Sequence, residues 1–517
     1  MAFLPSRATV EDIMRFKKWT VLTVMLLCLA ILGSTFASCG ASGRTNESGV
    51  SGAETGNQNQ ETDSGDQGNT RETISPDIPN TYDWGGETVK FLCWWRPDWD
   101  ATVRVYRDIT SSDLTGDLVG DAVFLRNNEI EERYKVSIEM DLVQQNDVPT
   151  IVRNQVKTGS NEYDVVYPRL LEAATMVTDN VFLNLFNVPN LDLTKPWWDQ
   201  SCIDNLSISN ALYYCATSLN VNDKDATAAM AFNKQTCKDN NIPFFYDVVE
   251  SGEWTIDLLA TYAEQVLNDL DGNDIINEQD FYGFLGKDDV CVSFFMGSGS
   301  QIVTKTDEYT YELTVGEDRD IDVMEDIVYY MNEDWFYNQH VANIDDIQYT
   351  QLFTSGHGLF FWMRLDEVTN MRASEVDFGI LPIPKYEEDQ DFYYSMVSPH
   401  TTGILSIPSS LSGDRLERVG MIIEALSANS HYNLQYAYVD QSLMTKFSKD
   451  EESASSVAKV LEHRVFDPGY LYDFGSIREE FLRMGHKQSN LSTTLASLRG
   501  VTEARIDKFL TAIDEMQ

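Results

Sequence analysis

Gln351 to Tyr386 reads QLFTSGHGLFFWMRLDEVTNMRASEVDFGILPIPKY. Its opening is compatible with a helix, and Gly356-His357-Gly358 ends that helix in a turn. Leu359 to Met363 is an uninterrupted apolar run, the pattern of a strand covered on both faces. Trp362 and Arg364 stand at the end of that run. A polar helical patch follows, then a second strand that stops at Pro382 and Pro384.

The chain before this stretch alternates strand and helix signals. Thr88 to Trp95 (TVKFLCWW) reads as a buried first strand, and Val136 to Leu142 alternates as a second. Gly120 to Tyr134 has helical spacing, with Ala122, Leu125, Ile130 and Tyr134 on the apolar face. Asp147 to Thr158 reads as a helix and Tyr163 to Tyr167 as a short buried strand. Such alternation predicts an α/β sheet with largely parallel strands. Ligands of open sheets sit beyond the carboxyl ends of the strands, which is where Trp94, Trp95 and Arg169 project. Trp254 to Leu267 is helical with Thr255 as its cap, Ile302 to Val315 reads as a hairpin, and Ile321 to Asn332 as an acidic helix. Asp414 to Asn429 and His431 to Met444 read as further helices.

The central stretch carries Phe353, Gly356 and Phe360, then Asp377, Phe378, Gly379, Pro382, Pro384 and Lys385. This two-part pattern resembles that of the extracellular solute-binding proteins serving ATP-driven sugar importers. Other segments resemble the same family in order: LDLTKPWWDQ from Leu191, the run Ala211 to Lys234 ending Phe-Asn-Lys, and the Trp254-Thr255 helix start. Tyr393 to Pro408 and then Arg464, Val465, Asp467 and Gly469 continue the likeness, which spans about residues 82 to 480. The resemblance implies an α/β, two-lobed periplasmic-binding-protein-like fold. Its hinge crossings fall near Ala216 to Asn222 and Ser395 to Gly403, with a cleft between the lobes. It divides the chain into a leader (1–39), a linker (40–81) and a solute-binding domain (82–517). Lobe 1 is about 82–218 and 403–455; lobe 2 is about 219–402 and 456–517. It also implies a carbohydrate ligand, an oligosaccharide in size, delivered by a monomer to the permease subunits of an ABC transporter.

In that cleft Trp362 is the candidate stacking platform, with core packing as its alternative, and Trp95 is a second platform, because a flat aromatic covers the apolar face of a pyranose. Arg364, Arg169 and Asp223 are the candidates for hydrogen bonds to hydroxyls. Asp223 also reads as a solvated turn residue beside Lys224 and Asp225. Trp197 and Trp198 suit either sugar stacking or anchoring of a surface loop.

Composition narrows the partners. The chain has 517 residues, and a hydrophobic content of 43% is ample for a large core. A formal net charge of −44 repels nucleic acid and anionic membrane, and neither is expected as a ligand. The seven cysteines show no zinc spacing, and buried free thiols are the default for the mature chain, with a Cys202–Cys215 bridge left open.

The leader has its own logic. Arg15, Lys17 and Lys18 precede the apolar run Trp19 to Leu32, which is short for a membrane span. With Met14 as the natural start, this is a signal peptide. Phe36-Ala37-Ser38-Cys39-Gly40 resembles a bacterial lipobox, which makes Cys39 the lipidation site. The expected location is the extracellular face of the membrane, held by a lipid anchor only. Gly40 to Asn80 is almost free of apolar residues and reads as a flexible tether.

Between Asp269 and Asp280 the spacing matches a twelve-residue calcium loop. Asp269, Asp271 and Asn273 supply side-chain oxygens at positions one, three and five. The Ile275 carbonyl, Asn277 and Asp280 follow at seven, nine and twelve. Asp274 stands where Gly is usual, and Asp280 where Glu is. The alternative is an acidic turn in an acidic chain. A calcium here is structural; no cofactor is required for function.

No GxSxG, HExxH, P-loop or GxGxxG motif is present, and none of the six histidines has metal spacing with a neighbour. Two classes remain. One is a non-enzymatic solute receptor. The other is a surface-anchored carbohydrate-active enzyme or adhesin. The order of crossings favours the receptor.

Overall fold

Phe91, Leu92 and Cys93 are wholly buried, and this places β1 (Glu87–Trp95) in the middle of a sheet. A computed structural model describes residues 74–97, 105–371, 374–439 and 452–517. The leader, Cys39 and most of the tether lie outside the described residues. β2 (Val136–Gln144) and β3 (Val165–Tyr167) flank β1, both parallel to it, in the order β2-β1-β3. Residues 402–406 run back antiparallel along β3, with Val166 N–H donating to Ser406 O and Ile404 N–H to Pro168 O.

The helix Leu118–Tyr134 starts at an Asp117 cap, whose carboxylate accepts from Gly120 N–H, and ends at Lys135 in the left-handed region (φ 51°). Its buried face differs from the expected one. Ile130 and Tyr134 are buried as expected, but Leu125 is 58% exposed and Ala122 half-buried. Arg126 takes the core position instead. Its guanidinium donates to the carbonyls of Asp108, Ile109 and Leu219 and to Ser430 Oγ. A charge so fully hydrogen-bonded tolerates burial that counting apolar residues does not foresee.

The later strands are β4 (Ala228–Asn233), β5 (Tyr282–Gly286), the hairpin β6 (Val303–Asp307) and β7 (Thr310–Leu313), β8 (Phe336–Asn338), β9 (Gly358–Arg364) and β10 (Phe378–Leu381). A second sheet has the order β10-β4-β9-β5-β8, with β9 at its centre. β4 is antiparallel to β9 and β10, whereas β5 is parallel to β8 and β9. The run LFFWM is therefore covered on both faces, as its continuous apolarity requires. Gly379 in β10 lies so close to the Phe232 ring and the Tyr246 hydroxyl that a Cβ would sit 2.2–2.3 Å from them. Thr255 caps the helix Ile256–Val266, and the acidic helix is Asp318–Tyr330, opened by a Glu317–Asp320 capping box. Helices Ile477–Lys487 and Leu491–Asp514 close the chain.

Two passages connect the sheets, and they pair with each other. Cys215 bridges Leu405 at one end and Thr227 bridges Val397 at the other, both antiparallel. The second passage includes β11 (Tyr394–Met396), which pairs in parallel with β12 (His463–Val465). These are the crossings expected from the sequence near Ala216 to Asn222 and Ser395 to Gly403. Cys93, Cys202, Cys215, Cys237 and Cys291 are buried free thiols, so Cys202 and Cys215 are not bridged.

Candidate ligand-binding site

The carboxyl ends of the central strands carry a dense charged cluster. Arg364 ends β9, with Asp366 at 3.2 Å and Glu367 at 3.3 Å. Lys287 follows β5 and reaches Asp346 at 2.8 Å and Glu367 at 3.2 Å. Burial alone would lower the pKa of Arg364, but Asp366, Glu367 and Asp289 outweigh it and hold the guanidinium charged. Asp289, two residues after Lys287, is pushed above the ordinary carboxylate value by burial.

His400 ties this cluster to the first sheet. It lies in the second passage, and its pKa is pushed down to about 4 by burial and by Arg478, Arg169 and Arg364. Arg169 follows β3 of the first sheet and Arg364 ends β9 of the second, so both sheets present their carboxyl ends to one place. Tyr470, from the helix Pro468–Tyr472, has its ring 6.5 Å from His400 and feels Asp289, Arg478 and Arg364. Asp225 joins from the first passage, accepting from Arg107 at 3.1 Å and from the Tyr438 hydroxyl at 2.6 Å; burial pushes its carboxyl to about 6.

Several buried polar atoms here find no partner among the described residues. They include Tyr470 Oη, Glu367 Oε2, Trp362 Nε1, Trp94 Nε1 and Tyr167 Oη. Buried polar groups are ordinarily satisfied, by protein, by water or by a ligand.

The five expected ligand residues fare differently. Arg364 sits in the cluster described above. Trp362 is fully buried, with the Lys287 ammonium 5.9 Å from its ring centre. β9 is the central strand and its side chains are covered on both faces, which favours core packing over an open stacking platform for Trp362. Arg169 is turned onto Glu172 of the helix it precedes. Asp223 is 1% exposed and paired with Arg464 and Lys224, which overcome burial and hold its pKa below the ordinary value. It is a buried ion pair at the hinge and not a solvated turn residue. Trp95 is half-buried at the end of β1. Trp197 and Trp198 are loop anchors, each donating its indole N–H at 3.0 Å to one oxygen of Glu424.

Lys287, Asp289, Glu367, His400 and Tyr470 were missed in the sequence. The available signal was the strand YGFLG followed by Lys287, whose two glycines mask its character.

In the loop from Asp269 to Asp280, carboxylate oxygens of Asp269, Asp271 and Asp280 lie within 4.8 Å of one another. Asp269 accepts from Gly272 and Asp274 N–H at 2.7 Å each, Asn273 Oδ1 from Ile275 N–H, and Asp280 from Leu270 and Asn277 N–H. Asp274 adopts φ 61°, the left-handed backbone that a glycine at position six ordinarily supplies. The donor set is all oxygen and fits a hard cation.

No protein-family model and no curated protein sequence matches this chain. Solved structures share its fold. One is a cyclo/maltodextrin-binding protein complexed with maltotetraose, at TM-score 0.55 and 14% identity, covering 81% of this chain and 98% of the other. Another is UgpB from Mycobacterium tuberculosis in complex with glycerophosphocholine, at TM-score 0.53, 14% identity and coverage of 82% and 100%. A third is an ABC substrate-binding protein from Listeria monocytogenes in complex with cycloalternan, at TM-score 0.51, 10% identity and coverage of 82% and 99%. The chain thus has the two-lobed α/β fold of ABC substrate-binding proteins.

Proposed function

We propose that this chain, built on the substrate-binding-protein fold, is a membrane-anchored extracellular receptor. It captures a carbohydrate between two lobes and hands it to the permease subunits of an ABC importer. We take the lobes to divide as the sequence reading has them, with the hinge at the paired passages through Cys215–Thr227 and Val397–Leu405. The observation that carries the reading is the charged cluster at the carboxyl end of β9, where Arg364 meets Glu367 and acts on His400 and Tyr470, with Glu367 Oε2 and Tyr470 Oη left without a partner among the described residues. Sugar hydroxyls donate and accept at once, and so satisfy a mixed set of Tyr, Trp and carboxylate atoms. The compared proteins named for maltotetraose and cycloalternan support the ligand class. The role is capture and release, with no bond made or broken.

Calorimetry across a panel of oligosaccharides tests this, with Tyr470→Phe as the diagnostic variant. Its hydroxyl has no partner among the described residues, so removing it leaves stability unchanged. It weakens sugar binding by about 0.5–1.5 kcal/mol, the net worth of one hydrogen bond. A panel that gives no heat ends the carbohydrate reading. Sugar that is consumed and released as product ends the non-enzymatic one.

A further inference from the structure

The sequence places His340 and His486 far apart, and neither has a metal-binding neighbour along the chain. The fold brings them together at Asp288. His486 Nδ1 lies 3.0 Å from Asp288 Oδ1, and His340 Nδ1 lies 3.6 Å from Asp288 Oδ2. One ligand atom from each residue falls within 4.8 Å of the other two. The two imidazoles stack at 4.7 Å between centroids and 27° between planes, so their Nδ1 atoms address the same carboxylate.

We propose that Asp288, His340 and His486 form a binding site for a divalent cation of the zinc class. With bonds of about 2.0–2.1 Å, neighbouring donors around a tetrahedral zinc are about 3.3–3.4 Å apart. The two Asp288 distances, 3.0 Å to Oδ1 and 3.6 Å to Oδ2, go to different carboxylate oxygens, and one ligand atom from each residue lies within 4.8 Å of the other two, so small side-chain rotations bring three donors to that spacing. Two imidazoles and one carboxylate suit zinc, cobalt or nickel; calcium and magnesium take oxygen. The site is therefore chemically distinct from the loop at Asp269 to Asp280.

Its place in the fold is equally specific. Asp288 lies just past β5, and His340 lies just past β8, the parallel neighbour of β5. His486 is on the last turn of the helix Ile477–Lys487. All three line a cavity of about 660 Å³, shared with Lys287, Asp289 and Glu479. The His340 side chain is 65% exposed, giving a cation a way in, and Asp288 and His486 side chains are 16% exposed. Asn338 Nδ2 reaches Asp288 Oδ1 at 3.4 Å and steadies the carboxylate. Three protein ligands leave a fourth position for water or another ligand. A bound metal clasps the carboxyl ends of β5 and β8 to a C-terminal helix. This inference is independent of what solute the cleft takes.

The test uses the full chain purified without a polyhistidine tag. Cobalt is titrated in excess calcium, which occupies the surface carboxylates and the acidic loop. The expected result is one equivalent bound, with the intense visible absorption of tetrahedral cobalt, displaced by zinc. His340→Gln, His486→Gln and Asp288→Asn each weaken binding at least about tenfold, since second-shell changes alone cost 10–100-fold. His340 is exposed enough for its variant to fold normally, checked by circular dichroism. Absence of the tetrahedral band overturns the site. So does a band of undiminished affinity in the His340 and His486 variants, which marks adventitious binding by carboxylates.

Discussion

Glu424 shows at the scale of one residue how a buried charge is managed here. It is fully buried in the helix Gly413–Tyr432, accepts the indole N–H groups of Trp197 and Trp198, and is pushed up to about 7 chiefly by burial. The folded state therefore holds this proton more tightly than the unfolded chain. Its contribution is fully present below the ordinary glutamate pKa of 4.5 and is lost as pH rises through about 7, on the order of 3 kcal/mol in all. Glu424→Gln cannot titrate, and its single carbonyl serves only one of two indoles, which costs about 1–3 kcal/mol. Urea unfolding of both proteins from pH 4.5 to 7.5 should show the wild-type advantage shrinking with rising pH. Taking the difference matters because Asp225 and Asp467, both pushed to about 6, titrate in the same window. A constant difference would mean that Glu424 is ionised throughout. Trp362→Ala belongs to the same scale: a fully enclosed side chain on the central strand costs about 3–5 kcal/mol when truncated, read by thermal melting. Survival of the wild-type melting temperature would refute its place in the core.

At the scale of elements, the loop from Asp269 to Asp280 yields the clearest test. Its three carboxylates converge within 4.8 Å of one another, so calcium should relieve their repulsion and stabilise the native state. Melting temperature is expected to rise with calcium and fall with chelator, and Asp271→Ala to abolish the response. A melting curve indifferent to chelator removes the site. Elements also show what the sequence discloses. β9 and β10 were legible because LFFWM is continuous and Pro382 ends its strand, and the Thr255 cap because its side chain answers an orphan N–H. β5 was not legible. A Cβ on Gly283 would sit 2.1 Å from the Ala263 carbonyl, and one on Gly286 would sit 2.3 Å from the Phe336 ring, so packing demands glycines that propensity counts against a strand. Lys287 and Asp288, at the end of that hidden strand, were lost with it. Charged core residues such as Arg126 and Asp223 were unreadable for a related reason: their partners come from distant segments, and only the fold supplies them.

At the scale of the whole molecule, charge and anchoring bear on each other. The chain carries 82 acidic against 38 basic residues, a net charge of −44. An anionic leaflet repels such a surface, so electrostatic adhesion contributes nothing to membrane residence. Among the described residues no helix is long and apolar enough to cross a membrane. Under the proposed function, retention on the cell rests on the leader, where the basic residues, the apolar run and Ala37-Ser38-Cys39 stand in the order of a lipoprotein signal. One acyl chain holds only marginally and two hold stably, so the proposed anchor requires complete modification at Cys39. Cys39→Ser should move the protein from the membrane fraction to the medium while leaving oligosaccharide binding in calorimetry unchanged, because the cleft residues all lie beyond residue 87. A Cys39→Ser protein that stays with the membrane would show that something other than the lipid holds it, against the repulsion its own charge imposes.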